Sequence, residues 1–196
     1  VSSKGGCTGV VIDNVQAAYE ATRHLISEGC TNIVHVLGNI KINVYAQRLK
    51  GYRYALMDQG FTFLEENVIQ SDLSEENGEM IVQKILAMKD RPDGLFVSND
   101  TCAGSCIRAL KLAGIKIPED MAVVGFNNDM LSRLMEPNLT TVNYPGYEMG
   151  NIAMQSMIHH LGGLLGEALQ NTNTITLRSE LIVRESSLKS KSRMPH

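Results

Sequence analysis

Apolar runs of strand length alternate with segments of helical period along most of this chain. In the first such helix the apolar positions Val15, Ala18 and Leu25 fall on one stripe, and Gly29 directly after it predicts its end. The pattern predicts strands at Thr8 to Ile12, Ile33 to Leu37, Val68 to Gln70, Leu95 to Ser98 and Met121 to Phe126, and helices at Val15 to Glu28, Arg48 to Asp58, Glu75 to Met88 and through Leu110 up to Gly114. This alternation is typical of a parallel sheet with helices on both faces. Four consecutive strand–helix units therefore predict an α/β fold with a flavodoxin-like sheet.

Beyond Phe126 this regular alternation stops. A polar loop at Asn127 to Asp129 precedes a short extended piece, a helix and two extended segments that we expect to pair with each other. The predicted elements are Thr140 to Val142, Glu148 to Leu161, Thr174 to Leu177 and Leu181 to Val183. Residues 187–196 are mostly polar and are expected to form a solvated tail.

The charge balance argues against a surface that holds nucleic acid by itself. The chain has 18 Lys and Arg residues against 21 Asp and Glu residues, a formal net charge of −3 over 196 residues. Surfaces that neutralise phosphates are usually basic. The sequence also has no apolar run of bilayer-spanning length and no signal peptide pattern at its N-terminus. We therefore expect a cytoplasmic protein with no membrane partner, in which any contact with DNA would come from another segment.

The sequence shows no pattern of a known catalytic or metal centre. The glycine-rich piece from Gly162 to Gly166 follows a helix, whereas a phosphate-binding loop joins a strand to a helix. Cys102 and Cys106 share a helix face, but no further Cys or His falls nearby at zinc-site spacing, which favours buried structural thiols. His35 lies inside a predicted strand, where a structural role is favoured. The sequence therefore predicts neither an enzyme nor a cofactor.

Polar residues follow three of the predicted strands at the point where each strand ends. They are Ser71 and Asp72, the segment Asn99 to Thr101, and the segment Asn127 to Asp129. Ligands of open parallel sheets bind outside the carboxyl ends of the strands, so these loops would surround one crevice. Each loop taken singly could equally be a helix cap or a turn, because Asn, Asp, Ser and Thr are preferred at both. Their convergence favours recognition of a small molecule.

Seven short motifs, in order and at characteristic spacing, run over nearly the full chain. They are Val11 to Asn14, His24 to Gly29, Arg48 to Tyr52, Ser98 to Asp100, Ile117 to Phe126, Pro137 to Val142 and Leu181 to Ser186. With these motifs the chain resembles the C-terminal portion of the LacI/GalR family of transcriptional regulators.

The resemblance implies a periplasmic-binding-protein-like fold of two lobes, with a small-molecule effector in the cleft between them. On that map residues 1–12 and 142–170 are remnants of the first lobe, which is mostly missing. Residues 13–141 and 171–186 form a nearly complete second lobe. The DNA-reading helix-turn-helix headpiece would precede Val1 and is absent from this chain.

The family's effector contacts can be transferred to single positions of this sequence. Arg48 matches an arginine that grips effector oxygens, and a guanidinium offers a planar fork of donors for that purpose. Asn127 stands where the family usually has Asp, and Leu73 stands where several members have an aromatic ring. Asn99 matches a frequent effector contact, whereas Asp100 beside it could instead cap the helix. The candidate effector contacts from both arguments are Arg48, Asp72, Leu73, Asn99, Asp100 and Asn127.

The resemblance also implies a homodimer. It assigns part of the dimer seam to the helix from Thr101 to Ala113 and to the segment Met130 to Met135, although the apolar residues of that segment could instead pack under their own loop. The main hypothesis is the effector-sensing and dimerisation domain of a DNA-binding repressor. The alternatives are a transport-type sugar-binding protein with the same lobes and an enzyme on a similar doubly wound sheet. The sequence leaves the effector and the operator open.

Overall fold

The computed structural model describes residues 9–161 and 174–189. These residues fall into two compact units, one made of residues 14–143 and 180–189 and the other of residues 9–13, 144–161 and 174–179. Cys7, the predicted strand start at Thr8 and the tail from residue 190 onward lie outside the described residues.

The larger unit contains a six-stranded sheet with helices on both faces. Its helices are α1 (Asn14–Ser27), α2 (Asn43–Asp58), α3 (Gly78–Leu86), α4 (Asp100–Leu112) and the one-turn α5 (Leu131–Leu134). Its strands are β2 (Ile33–Leu37), β3 (Val68–Gln70), β4 (Gly94–Val97), β5 (Ala122–Asn127), β6 (Thr140–Asn143) and β8 (Leu181–Ile182). The smaller unit contains β1 (Gly9–Ile12), α6 (Gly146–Leu161) and β7 (Thr174–Leu177).

The strand order in the large sheet is β3-β2-β4-β5-β6-β8. The first five strands are parallel, and β8 pairs antiparallel with β6 at the edge. This is the flavodoxin-like order with one added edge strand, so the predicted fold class is confirmed.

The two C-terminal strands do not pair with each other, contrary to the prediction. β7 runs parallel to β1 in the smaller unit, and β8 completes the edge of the large sheet beside β6. Each strand thereby satisfies its backbone groups on a different open edge. Neighbouring apolar segments along a chain do not by themselves reveal which edges are open.

Helix α2 begins at Asn43, five residues before the predicted start at Arg48. The start of this helix is hard to recognise in the sequence because the apolar side chains there do not belong to the buried stripe. Ile42, just before the helix, is 52% exposed, and Val44 in its first turn is 37% exposed. The amide of Ile42 donates to the carbonyl of Asn39 and the amide of Ala46 donates to that of Ile42, so the turn leads directly into the helix. Arg48 consequently lies in the second turn of α2 and does not open it.

The predicted helix from Glu75 to Met88 divides into a 3-10 turn at Glu75–Asn77 and the α-helix α3. Gly78 lies at the junction, where a Cβ atom would collide with the side chain of Ser105 on α4. The close packing of α3 on α4 therefore depends on a residue that also weakens helical continuity.

The two faces of the large sheet differ in chemistry. The face under α3 and α4 is aliphatic, and the buried free thiols Cys102 and Cys106 lie in its core as expected. The face under α1 and α2 instead buries an aromatic stack, in which the ring of His35 lies on Phe96 at 4.4 Å between centroids. Tyr52 closes this face and donates its hydroxyl proton to the carbonyl of Ile33 at 2.7 Å.

His35 is fully buried and neutral. Its Nδ1 lies 3.1 Å from the carbonyl oxygen of Phe96, which can only accept, so Nδ1 carries the proton. Its Nε2 has no hydrogen-bond partner among the described residues. Burial and, to a lesser extent, the nearby guanidinium of Arg48 lower the pKa of His35 to about 3, although the hydrogen bond to the carbonyl of Phe96 acts in the opposite direction.

We predict that His35 makes the fold sensitive to mild acid. Because its folded pKa lies below the ordinary value of 6.5, its contribution to stability is complete above pH 6.5 and is lost as the pH falls toward 3. The free energy of unfolding should therefore drop by about 1.4 kcal/mol per pH unit below that point from this residue alone. Urea unfolding of wild type and His35→Phe at pH 7.5, 6.0 and 5.0 measures the difference. Parallel pH profiles of the two proteins would contradict the prediction.

Candidate functional site

The guanidinium of Arg48 lies at the carboxyl ends of β4 and β5. Nη1 donates to the carbonyl of Ser98 at 2.8 Å and Nε donates to Oδ1 of Asn14 at 3.0 Å. Cζ lies 3.4 Å from the ring centroid of Phe126, and the side chain is only 4% exposed. Arg48 is thus held in one orientation by hydrogen bonds in its plane and by a stacked aromatic ring on its face.

The position of Arg48 follows from the packing of α2 on α1. Gly51, one turn after Arg48, meets α1 so closely that a Cβ atom would collide with the carbonyl oxygen of Val15. Helix α2 can approach α1 at this point only with glycine there. The approach brings the Arg48 side chain within reach of Asn14 at the start of α1.

Asn99 is both a helix cap and an available donor. Its Oδ1 accepts a hydrogen bond from the amide of Cys102 at 2.9 Å and so caps α4. Its Nδ2 has no hydrogen-bond partner within residues 9–161 and 174–189, and the residue is half-buried. Asn99 can therefore cap α4 and still contact a ligand through Nδ2, as predicted.

Asp100 is a buried carboxylate with both oxygens in use. Oδ1 accepts from the hydroxyl of Thr141 at 2.6 Å and Oδ2 accepts from the amide of Asp129 at 2.8 Å. The side chain has no exposed surface, and this burial raises the pKa of Asp100. These bonds tie the start of α4 to β6 and to the loop after β5, so in this structure Asp100 shapes the site.

Two asparagines at the end of β5 have left-handed backbone conformations. Asn127 has φ 117° and Asn128 has φ 57°, a region that Asn tolerates better than most residues. Asn128 donates from Nδ2 to Oδ1 of Asn143 at 3.1 Å, at the end of the neighbouring strand β6. Asn127 is aligned with Asn143 in the same pairing and is half-buried.

The sequence analysis missed the residue that holds this asparagine loop. Arg184 donates from Nη2 to Oδ1 of Asn128 at 2.8 Å and from Nη1 to the carbonyl of Leu139 at 2.7 Å. Arg184 belongs to the motif from Leu181 to Ser186, but nothing local relates it to a loop 56 residues earlier. Only the folded chain brings the two together.

The two predicted residues after β3, Asp72 and Leu73, make contacts of their own. Asp72 is exposed, and its Oδ1 accepts from the amide of Ser74 and from Nδ2 of Asn77, bonds that lower its pKa. Leu73 has φ 63° and is 5% exposed, with its side chain in the aliphatic core. Contact of either side chain with a ligand stays a prediction.

The structure thus gathers Arg48, Asn99 and Asn127 at the carboxyl ends of β4 and β5. The groups there are hydrogen-bond donors and amides, which fit recognition of a polar molecule. Across the described ranges no three His, Cys, Asp or Glu side chains converge in a way that would hold a metal ion. None of the described helices is both long and apolar enough to cross a membrane.

Residues 22–187 match the family model described as the periplasmic binding protein-like domain. The HTH-type transcriptional regulator DegA of Bacillus subtilis (strain 168) is 36% identical over 178 residues, which cover 90% of this chain and 51% of that protein. The chain spans about half the length of the curated relatives it matches. These relatives are transcriptional regulators, not enzymes.

Solved structures with similar folds include ligand complexes. A transcriptional regulator CelR–cellobiose complex has a TM-score of 0.84 and 29% identity, with 92% of this chain and 54% of that chain covered. A LacI family transcriptional regulator from Enterococcus faecium with bound ribose has a TM-score of 0.85 and 25% identity, with 97% and 69% covered.

We predict that Asp100→Ala destabilises the larger unit. The substitution leaves the buried Thr141 hydroxyl and the Asp129 amide without their acceptor, which should lower the free energy of unfolding by about 1.5–3 kcal/mol. Chemical denaturation at pH 7 measures the loss. Asp72→Ala is the matched control, because its carboxylate is exposed and should contribute much less. Equal effects of the two substitutions would contradict the assignment of Asp100 as the structural carboxylate.

Proposed function

We propose that this chain, which belongs to the LacI family of transcriptional regulators and contains their periplasmic binding protein-like domain, is the effector-sensing part of such a regulator. The observation that carries the proposal is the buried, oriented guanidinium of Arg48 at the carboxyl ends of the parallel strands. A parallel sheet of this kind binds its ligands at that edge. The regulator would be cytoplasmic and would read DNA through a headpiece outside this chain.

The proposed effector is a sugar or a related polyhydroxylated metabolite. Burying a hydroxyl without a partner is costly, so such a ligand needs several converging donors and acceptors. The donors of Arg48 and the amides of Asn99 and Asn127 supply them without a carboxylate at position 127. Two similar regulators hold cellobiose and ribose, which supports this class of ligand.

The proposed regulator is a homodimer that uses the face formed by α4 and α5. Leu112, Met130 and Leu134 are 78%, 68% and 74% exposed on this face. Beside them lies a groove of about 550 Å³ whose lining includes Ile107 and Met135. Exposed apolar surface of this kind marks a contact with another molecule. The occupant that we propose is the same face of a second copy, as a two-fold axis requires.

We predict that Arg48→Ala weakens effector binding more than Asn127→Ala. Loss of a hydrogen bond to a charged group costs about 1.5–3 kcal/mol, and loss of a neutral one costs about 0.5–1.5 kcal/mol. Calorimetry with ribose and with cellobiose measures both variants, with circular dichroism to verify the fold. Arg53→Ala is the matched control on the same helix, because Arg53 is exposed and stacks on Phe63 at 4.2 Å. Unchanged affinity in Arg48→Ala and Asn127→Ala would mean that the site lies elsewhere.

We predict that the chain self-associates and that Leu134→Glu weakens this association. A carboxylate buried at an apolar contact should weaken the dimer at least about tenfold, because its desolvation is not compensated. Sedimentation of the 196-residue chain over a range of concentrations measures the dissociation constant. Met57→Glu is the control, because Met57 on α2 is 66% exposed and lies outside the proposed face. A strictly monomeric wild type, or equal effects of both variants, would refute this dimer.

A further inference from the structure

A cavity of about 500 Å³ lies at the amino ends of β2, β3 and β4, at the edge of the large sheet opposite to Arg48. Its lining comes largely from three connections of the larger unit: residues 31–32 before β2, residues 61–67 before β3 and residues 88–90 before β4. Small-molecule sites in proteins usually have volumes of about 300–1,000 Å³. The cavity therefore has the size of a ligand site and is separate from the proposed effector site.

Hydrogen bonds tie the three connections together around this cavity. Asn32 donates from Nδ2 to the carbonyl of Asp90 at 2.8 Å, and its Oδ1 accepts from Nδ2 of Asn67 at 2.8 Å. The carboxylate of Asp93 accepts from the amides of Thr31 and Asn32, both at 2.9 Å. The walls are thus fixed by bonds within the protein, and a ligand that enters does not have to order them first.

Asn67 supplies this wall with an unused hydrogen-bond acceptor. The side chain lines the cavity and is only 7% exposed. The carbonyl of Asp90 can only accept, so Asn32 faces it with Nδ2 and turns Oδ1 toward Asn67. Asn67 must then present Nδ2 to Asn32, and its Oδ1 has no hydrogen-bond partner within residues 9–161 and 174–189. Buried amide oxygens are seldom left unpaired, so this oxygen indicates where a ligand would place a donor.

The remaining wall is apolar. Phe61 and Met88 are half-buried and Leu64 is 42% exposed, and all three line the cavity. The buried side chains of Tyr52 and Leu56 lie beneath them in the same lining. A ring or a branched apolar group placed here would remove this apolar surface from water.

We propose that this cavity is a second ligand site of the chain and that it binds a small aromatic amine. The ring would lie against Phe61, Leu64 and Met88, and the ammonium group would donate to Oδ1 of Asn67. The exposed charges of the lining are the carboxylates of Glu66 and Asp90 and the single ammonium of Lys89, a surplus of one negative charge. This surplus favours a cationic head group over an anionic one.

The test titrates three probes with the same ring into the 196-residue chain and follows its backbone amides by NMR. The probes are phenethylamine, phenylethanol and phenylacetate, which differ only in the head group. Phenethylamine should bind with a dissociation constant on the order of 1 mM, as expected for so small a ligand, and should shift amides in residues 31–32, 61–67 and 88–90. Phenylacetate should bind at least about fivefold more weakly, because its head group is an anion and has no donor for Asn67.

Two substitutions in the wall test the geometry. Asn67→Ala should weaken phenethylamine binding about 3–10-fold, the effect of one hydrogen bond. Asn77→Ala is the matched control, because Asn77 ends a second 3-10 turn with the same Glu-Glu-Asn sequence and donates from Nδ2 to Asp72. Thr62→Trp should abolish binding, because Thr62 is exposed in the lining and a large ring there fills the cavity without replacing a core side chain.

The outcomes also separate this site from the proposed effector site. Arg48→Ala should bind phenethylamine like wild type, and a loss of binding in that variant would place the amine at the other edge of the sheet and overturn the inference. No binding of phenethylamine by folded wild type, equal binding of phenylacetate, or unchanged binding by Thr62→Trp would overturn it as well. If circular dichroism shows that Asn67→Ala does not fold, Thr62→Trp and the comparison of the three probes decide. Each of these results leaves the proposed sugar site untouched.

Discussion

The candidate site depends on the contacts that hold the guanidinium of Arg48 in a buried position. Removing a cation from water costs several kcal/mol, so the surrounding structure must supply compensation. It does so with the carbonyl of Ser98, the amide oxygen of Asn14 and the face of Phe126. These three groups belong to the end of β4, the start of α1 and the end of β5. One side chain thereby fixes the mutual positions of the elements that define the edge of the sheet.

A second buried charge, on Asp100, organises the other side of the same edge. Its carboxylate connects α4 to Thr141 on β6 and to the loop after β5, while Arg184 holds Asn128 of that loop. The side chain of Asp100 also explains Gly125, where a Cβ atom would collide with the carboxylate. Asn127 lies between the two networks, next to Phe126 in one and Asn128 in the other. Its position is therefore set from both sides, although its side-chain amide makes no hydrogen bond among the described residues.

Sequence reasoning found what depends on local pattern and missed what depends on distant partners. The parallel α/β sheet follows from the alternation of strands and helices. Arg48 is a candidate from its motif, although the predicted start of its helix is five residues too late. The amphipathic stripe could not reveal that start, because Val44 faces solvent. Arg184 was missed because its partners are 45 and 56 residues away in the chain. The sequence also cannot show that Ser98 Oγ is buried without a hydrogen-bond partner among the described residues, because an absent partner leaves no trace in a sequence.

Backbone strain in the described residues is concentrated at the carboxyl edge of the sheet. The non-glycine residues with positive φ are Leu73, Asn127 and Asn128, and all three follow the carboxyl end of a strand or lie at it. Such conformations cost free energy and persist only where the surroundings impose them. For Leu73 the imposing forces are burial of its side chain in the core and the turn bonds of Asp72. For Asn128 they are its bonds to Thr141, Asn143 and Arg184, and for Asn127 the pairing with Asn143 on β6; together these hold the loop in a shape that a relaxed turn would not adopt. Strain at the edge where ligands of parallel sheets bind is the expected cost of holding polar groups in a preset arrangement before a ligand arrives.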